Sequence, residues 1–183
     1  MFARLPPPLA MLVAAWLGSV AACDAAPARG RPTVREAPRA AELRSSAVQA
    51  ALRDAGRVLR TRGFAPSGDE LRGFVLSGAS LVRAEPLRSG SCYVAIGAGS
   101  AALASLELTL HDSEGAPVAE APRTSGARPA LRFCPPQSGT FYVAARAARG
   151  SGIVALRLFE GPGGLEVRVD DVFSSEAAAD GHP

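Results

Sequence analysis

The side chains best suited to acid, base or nucleophilic chemistry are few in this chain of 183 residues. The residue types of a hydrolytic triad meet at His111, Asp112 and Ser113. Neighbours along a strand point to opposite faces of a sheet, and the GxSxG turn that presents a serine nucleophile is absent. The other histidine, His182, is the penultimate residue and has no candidate partner. A hydrolase is therefore only an alternative interpretation, and we predict that the protein is not an enzyme.

The composition argues against several further chemistries. All 20 basic residues are Arg, whereas a P-loop and a Schiff-base enzyme each need a Lys side chain. Residues 161–164, GPGG, lack the strand-to-helix setting of a nucleotide-binding loop, and no ligand set has the spacing of a zinc site. No basic patch is interleaved with aromatic residues, so no nucleic-acid partner is expected. We expect no cofactor, no metal and no catalytic residue.

The first 22 residues have the layout of a secretory signal. Arg4 supplies a positive charge, an apolar stretch follows from Leu9 to Ala22, and small residues end the segment. This stretch is shorter than the roughly 20 apolar residues that span a membrane. The sequence therefore predicts a signal peptide at 1–22 and an exported protein.

The signal ends in a motif that could carry lipid. Val20, Ala21, Ala22 and Cys23 resemble the lipobox of bacterial lipoproteins, which is an aliphatic residue, two small residues and a cysteine. The resemblance implies that the Cys23 thiol carries diacylglycerol, that the signal is cut before it, and that the new amino terminus is acylated, for example with palmitate. Acyl chains contribute about 0.8 kcal/mol per buried methylene. They would anchor the protein to the inner or outer membrane; a soluble secreted or periplasmic protein is the alternative.

Cys92 and Cys134 are the two cysteines that remain if Cys23 carries lipid. An even number of cysteines in an exported chain favours a disulfide bond. A redox or metal-binding pair would instead call for a CxxC spacing, which these residues lack. We therefore predict a structural disulfide bond between Cys92 and Cys134.

A change of composition near residue 45 separates a tether from a helix. Residues 23–44 are rich in Ala, Pro and Arg and have almost no large apolar side chain, which is typical of a flexible tether. Beyond them, apolar residues recur at steps of three and four, which predicts an amphipathic α-helix over 45–63. Ser45 or Ser46 would be its N-cap and Gly63 its C-terminal stop.

The polar face of this helix carries Arg53, Arg57 and Arg60. Such a face could contact anionic lipid headgroups or an acidic partner. It could equally be the solvated side of a helix packed on a sheet, and the sequence leaves these alternatives open.

From Phe74 onward the apolar residues alternate, which predicts strands. Leu106, Leu108 and Leu110 share one side of a strand that reaches a turn at 112–115. Two further strands flank the Gly150-Ser151-Gly152 turn. Shorter strands are expected at residues 73–76, 81–85, 92–96, 130–134 and 165–169. This spacing predicts a mainly β fold, an antiparallel β-sandwich over 70–172, followed by a disordered tail at 173–183.

The strand motifs resemble those of bacterial pre-peptidase C-terminal domains. The run LELTLHDSEG at 106–115 is similar to their LxLxLxDxxG strand, and SGTFYV at 138–143 is similar to their GxYxV strand. The resemblance covers residues 70–160 and implies a small jelly-roll-like sandwich of the kind appended to secreted peptidases and other envelope proteins. Members often carry acidic residues before the first motif, but Ala104 and Ser105 stand there, so calcium is not implied.

Together these features predict a non-catalytic cell-envelope lipoprotein whose β-sandwich is a protein-binding or structural module. Its partners would be the membrane, through the lipid anchor, and an envelope protein of unknown identity. An accessory or targeting module for secreted peptidases or other exported enzymes is the first alternative. An unrecognised hydrolase is the second.

Overall fold

The computed structural model describes residues 37–123 and 126–174, with side chains from Ser45 onward. The predicted mainly β class with one preceding helix is confirmed, and the described elements follow one another in this order: α1 Ala37–Thr61, β1 Ala65–Val75, β2 Ser80–Leu87, β3 Ser91–Gly99, β4 Leu103–His111, β5 Pro117–Glu120, β6 Ala130–Phe133, β7 Gly139–Gly150, β8 Gly152–Pro162 and a 3₁₀ turn at Val169–Asp171. No helix in these residues is long and apolar enough to cross a membrane.

The strands form two four-stranded antiparallel sheets, which is compatible with a β-sandwich. Sheet I has the order β1-β8-β3-β6 and sheet II the order β2-β7-β4-β5. The alternating side chains of β4 and β7 pack against those of β3 and β8 in one buried apolar cluster, as expected for two sheets face to face. Its largest members include Leu108, Leu110 and Leu156.

The outer face of sheet I is covered as well. Val94, Ile96 and Phe159 point away from sheet II, and none of them has measurable exposure. They form a second apolar cluster with Leu52 and Leu59 of α1 and with residues 165–173, which we call the C-terminal segment. The helix therefore closes this face, while β3 and β8 are buried on both sides.

The helix starts earlier than its sequence pattern predicts. It begins at Ala37 rather than at Ser45, and it ends at Thr61. The composition of residues 23–44, rich in Ala, Pro and Arg and poor in large apolar side chains, predicts a tether as far as Arg44. Pro38, however, lies in the first turn of the helix, where its missing N–H costs nothing. The residues after it, RAAELR, are mostly strong helix formers. Ser45 is therefore not an N-cap, and its hydroxyl instead accepts a hydrogen bond from Arg72.

Two strand assignments also differ from the prediction. Residues 165–169 form no strand and lead into the 3₁₀ turn. Leu165, Val167 and Val169 alternate as they would in a strand, but they pack on the outer face of sheet I. The turn at Gly150 does not close a hairpin either, because β7 and β8 belong to different sheets. Gly150 has a φ of +87°, and a Cβ there would collide with the Ala102 carbonyl oxygen.

A charged pair lies at the edge of the sandwich where β1 and β2 meet. Arg83 and Glu85 are in phase with the inward-pointing Leu81 and Leu87 of β2. The two side chains are 20 % and 11 % exposed and form an ion pair. Arg83 also donates to the Asp69 carbonyl oxygen. Both charges are largely removed from bulk water, so each depends on the other for compensation.

Removal of one member of this pair should cost more than removal of both. Glu85→Ala leaves the Arg83 guanidinium uncompensated, and we expect the free energy of unfolding to fall by about 3 kcal/mol. The double variant Arg83→Met, Glu85→Leu replaces both charges with apolar groups and should stay within about 1 kcal/mol of wild type. Urea unfolding measures both values. A double variant as unstable as Glu85→Ala would contradict the assignment.

Candidate functional site

His111 and Asp112, two members of the candidate triad, stabilise a turn. The Asp112 carboxylate oxygen Oδ1 accepts the backbone N–H groups of Glu114 and Ala116, at 3.0 and 2.9 Å. The His111 ring nitrogen Nδ1 lies 3.1 Å from the Gly115 carbonyl oxygen. Both side chains thus hold the turn between β4 and β5. His182 and the proposed lipidation residue Cys23 lie outside the described residues.

The predicted disulfide bond is present between Cys92 and Cys134, with 4.2 Å between their Cα atoms. It follows directly on the register pair Tyr93↔Phe133, so it extends the ladder between β3 and β6. The two cysteines are 42 positions apart in sequence, and closing such a loop stabilises a fold by about 4 kcal/mol in the chain-entropy model. Cys92 is buried beneath Arg132, whose guanidinium donates to the Leu165 carbonyl oxygen at 2.7 Å. The bond is placed to brace the fold.

The three arginines of the helix lie on its solvent side. Arg53, Arg57 and Arg60 are exposed, whereas Leu52 and Leu59 on the opposite side are buried. Arg57 pairs with Asp54 at 2.8 Å, and both partners are exposed. Such a pair contributes little to stability. The structure brings the three arginines onto one exposed face but places no other described element over them that would indicate their ligand.

In the described part of the chain, no helix or turn covers the outer face of sheet II, because α1 packs on β8, β3 and β1 and the C-terminal turn packs on β6. We call this surface the open face. Strand alternation and register place the following side chains on this open face: Val82, Ala84, Thr140, Tyr142, Ala144, Arg146, Glu107, Thr109, His111 and Glu120.

Small side chains make up most of the centre of the open face. Tyr142 pairs in register with Ala84 on one side and with His111 on the other. Thr109 stands beside Ala144 in the next row. Arg146 and Glu107 form an ion pair of 3.0 Å across the strands. The open face thus presents one exposed tyrosine among small residues, bordered by a charged pair.

At the opposite end from the β1–β2 turn, Tyr93, Glu160 and Arg88 form a polar network. Arg88 donates to Glu160 at 3.0 Å, and the Tyr93 hydroxyl donates to the same carboxylate at 3.1 Å. Burial alone would raise the pKa of Glu160. Hydrogen bonds from Ser91, Arg88 and Tyr93 outweigh it, so the pKa of Glu160 lies below its ordinary value. The network fixes the turn between β2 and β3 to the end of β8.

Sequence reasoning missed the open face, the Arg83–Glu85 pair and the Glu160 network. The pair did leave a signal, because two charged residues occupy the inward phase of an otherwise apolar strand. The other two sites consist of residues distant in sequence, and nothing in the local pattern indicates them.

Comparisons with known proteins add no family to this description. Neither the models of protein families nor the curated proteins give a match to the chain. In the part of the chain that the structure describes, no group of three or more His, Cys, Asp and Glu side chains could hold a metal ion. The arrangement offers an open sheet face and structural polar clusters.

The Glu160 network should make stability depend on pH in the acid range. A carboxyl with a lower pKa in the folded chain adds stability above the unfolded-state value, 4.5, and loses that stability as pH falls through the folded-state value. We expect the unfolding free energy of wild type to fall more steeply below pH 4.5 than that of Glu160→Gln. Arg88→Met removes one of these hydrogen bonds, so its unfolding free energy should also fall less steeply with pH than that of wild type. Urea unfolding at a series of pH values measures this, and parallel curves would exclude the network as a cause.

Proposed function

We propose that this chain is a non-catalytic cell-envelope lipoprotein whose β-sandwich binds an envelope protein. The motif at Cys23 and the preceding leader support export and lipidation. The Cys92–Cys134 bond fits an oxidising, exported compartment. The open face of sheet II carries the binding part of the proposal, because α1 covers the other sheet and no described element covers this one.

A jelly-roll topology is part of the same proposal. Sheet orders β1-β8-β3-β6 and β2-β7-β4-β5 are those expected for a jelly roll, in which the chain crosses between sheets at nearly every connection. This favours the resemblance to pre-peptidase C-terminal domains, whose motifs lie on β4 and β7. The second candidate function, an accessory module for exported enzymes, rests on that resemblance.

Photo-crosslinking in the producing cells tests the binding surface. A photoreactive amino acid at Thr109 or Ala144 lies at the centre of the open face, and one at Arg57 on the helix is the matched exposed control. We expect a discrete heavier product from the first two positions and none from Arg57. The mass spectrum of that product then identifies the partner.

Each outcome of this experiment decides between the candidates. An exported peptidase or another exported enzyme in the product would favour the accessory module. Equal products from Arg57 and the open face, or no product from either open-face position, would exclude the proposed surface.

Cys23→Ser tests the anchor separately. Wild type should incorporate radiolabelled palmitate, and Cys23→Ser should not, because the thiol that begins lipidation is gone. The double variant Cys92→Ala, Cys134→Ala keeps Cys23 and should incorporate the label like wild type. Incorporation that survives Cys23→Ser, or none in wild type, would refute the lipoprotein assignment.

A further inference from the structure

Two large apolar side chains are exposed at the turn between β1 and β2. Phe74 is 68 % and Leu76 64 % exposed, and they are the two most exposed of the five large hydrophobic residues that the described part of the chain leaves exposed. Phe74 lies near the end of β1, and Leu76 opens the turn. We call these two residues the apical corner.

The exposure of the apical corner is a property of an ordered turn. The Ala79 N–H donates to the Leu76 carbonyl oxygen at 2.9 Å, which closes the turn. The Ser77 N–H donates to the Ser151 hydroxyl at 2.8 Å, and the Gly78 N–H donates to the Ala147 carbonyl oxygen at 2.7 Å. The corner is thus tied to β7 and to the turn before β8, so its apolar side chains are held outward.

The charge around the apical corner is positive. Arg72 and Arg149 are exposed near the ends of β1 and β7, whereas Arg146, opposite Ser80 in register, is paired with Glu107. Among the described residues, the four loops at this end of the sandwich, 76–79, 100–102, 121–129 and 150–151, contain no acidic residue. Asp112, Glu114 and Glu166 lie in loops at the opposite end. An apolar tip flanked by Arg72 and Arg149 matches an anionic membrane surface, which offers hydrocarbon beneath negative headgroups.

The direction of α1 brings the start of the described chain to the same end. Gln49 contacts Glu70, and Ser45, one turn earlier in the helix, contacts Arg72, two residues further along β1. The helix therefore runs antiparallel to β1, and each residue before Ser45 rises about 1.5 Å toward the β1–β2 turn. Ala37 lies at that end, and residues 24–36 can span at most about 50 Å between it and Cys23.

We propose that the apical corner docks on the surface of an anionic bilayer, with Phe74 and Leu76 inserted among the headgroups. This site differs from the arginine face of α1, which has no apolar component. The inference rests on the proposed function only for the lipid anchor that keeps the domain beside the bilayer. Docking would orient the sandwich and hold the open face of sheet II roughly perpendicular to the membrane, where an envelope partner can reach it.

Fluorescence at the corner tests the proposal with the full chain. Ser77→Cys places an environment-sensitive label at the turn, and Glu114→Cys places it at the opposite end of the domain. The labelled proteins are floated with vesicles of phosphatidylglycerol and phosphatidylcholine, or of phosphatidylcholine alone. We expect a blue-shifted emission for Ser77→Cys on the anionic vesicles and an unchanged emission for Glu114→Cys. Adding Phe74→Ser and Leu76→Ser should lower the docked fraction about 10-fold, because two apolar side chains no longer leave water.

The two readouts separate the corner from the anchor. Flotation without a shift at Ser77→Cys would overturn the docking proposal and leave the anchor supported, and it is the result expected if the corner meets a protein instead. A shift without stable flotation would support the corner and refute the anchor. The absence of both flotation and the emission shift would refute both the docking and the anchor. Equal shifts at Ser77→Cys and Glu114→Cys, or equal shifts on neutral vesicles, would overturn the apical, charge-assisted docking proposed here.

Discussion

The burial of β3 and β8 on both faces is the constraint on which the rest of the molecule depends. Their inner side chains meet sheet II, but Val94, Ile96 and Phe159 point the other way and would face water without a cover. Each such side chain contributes about 2 kcal/mol when it is buried. Leu52 and Leu59 of α1, together with the C-terminal segment, supply that cover. The helix is therefore a layer of the fold, although its position before the strands makes it look like an appendage.

This arrangement makes the two sides of the molecule unlike. Sheet I is closed by the helix, so its outer surface is a row of solvated arginines, whereas sheet II presents an open face around Tyr142. The two ends are unlike as well, because the apical corner is apolar and basic while acidic loops and the disulfide lie at the other end. A protein with a distinct face and a distinct tip can hold a membrane and a partner at once, which is the division of roles that we propose.

The sequence predicted those features of the fold that leave a local pattern of residues. Alternation over β4, β7 and β8 predicted these strands, and counting cysteines predicted the disulfide bond. The first part of β1, APSGDELR, has no alternation, and it is a strand because β8 pairs with it. Residues 165–169 show the reverse case, since their alternation reflects packing on one side without a neighbouring strand. The open face and the apical corner depend on which strands meet, and no local pattern encodes that.

Native-state amide hydrogen exchange tests most directly whether α1 is a layer of the fold. If it is, amides from Val48 to Leu59 should exchange with the same free energy of opening as those of β3 and β8, because opening the helix exposes the outer face of sheet I. Added denaturant should lower the free energies of opening of both groups of amides in parallel. Helix amides that exchange far faster than those of β3 and β8 would show that sheet I is stable without its cover, which would contradict this account.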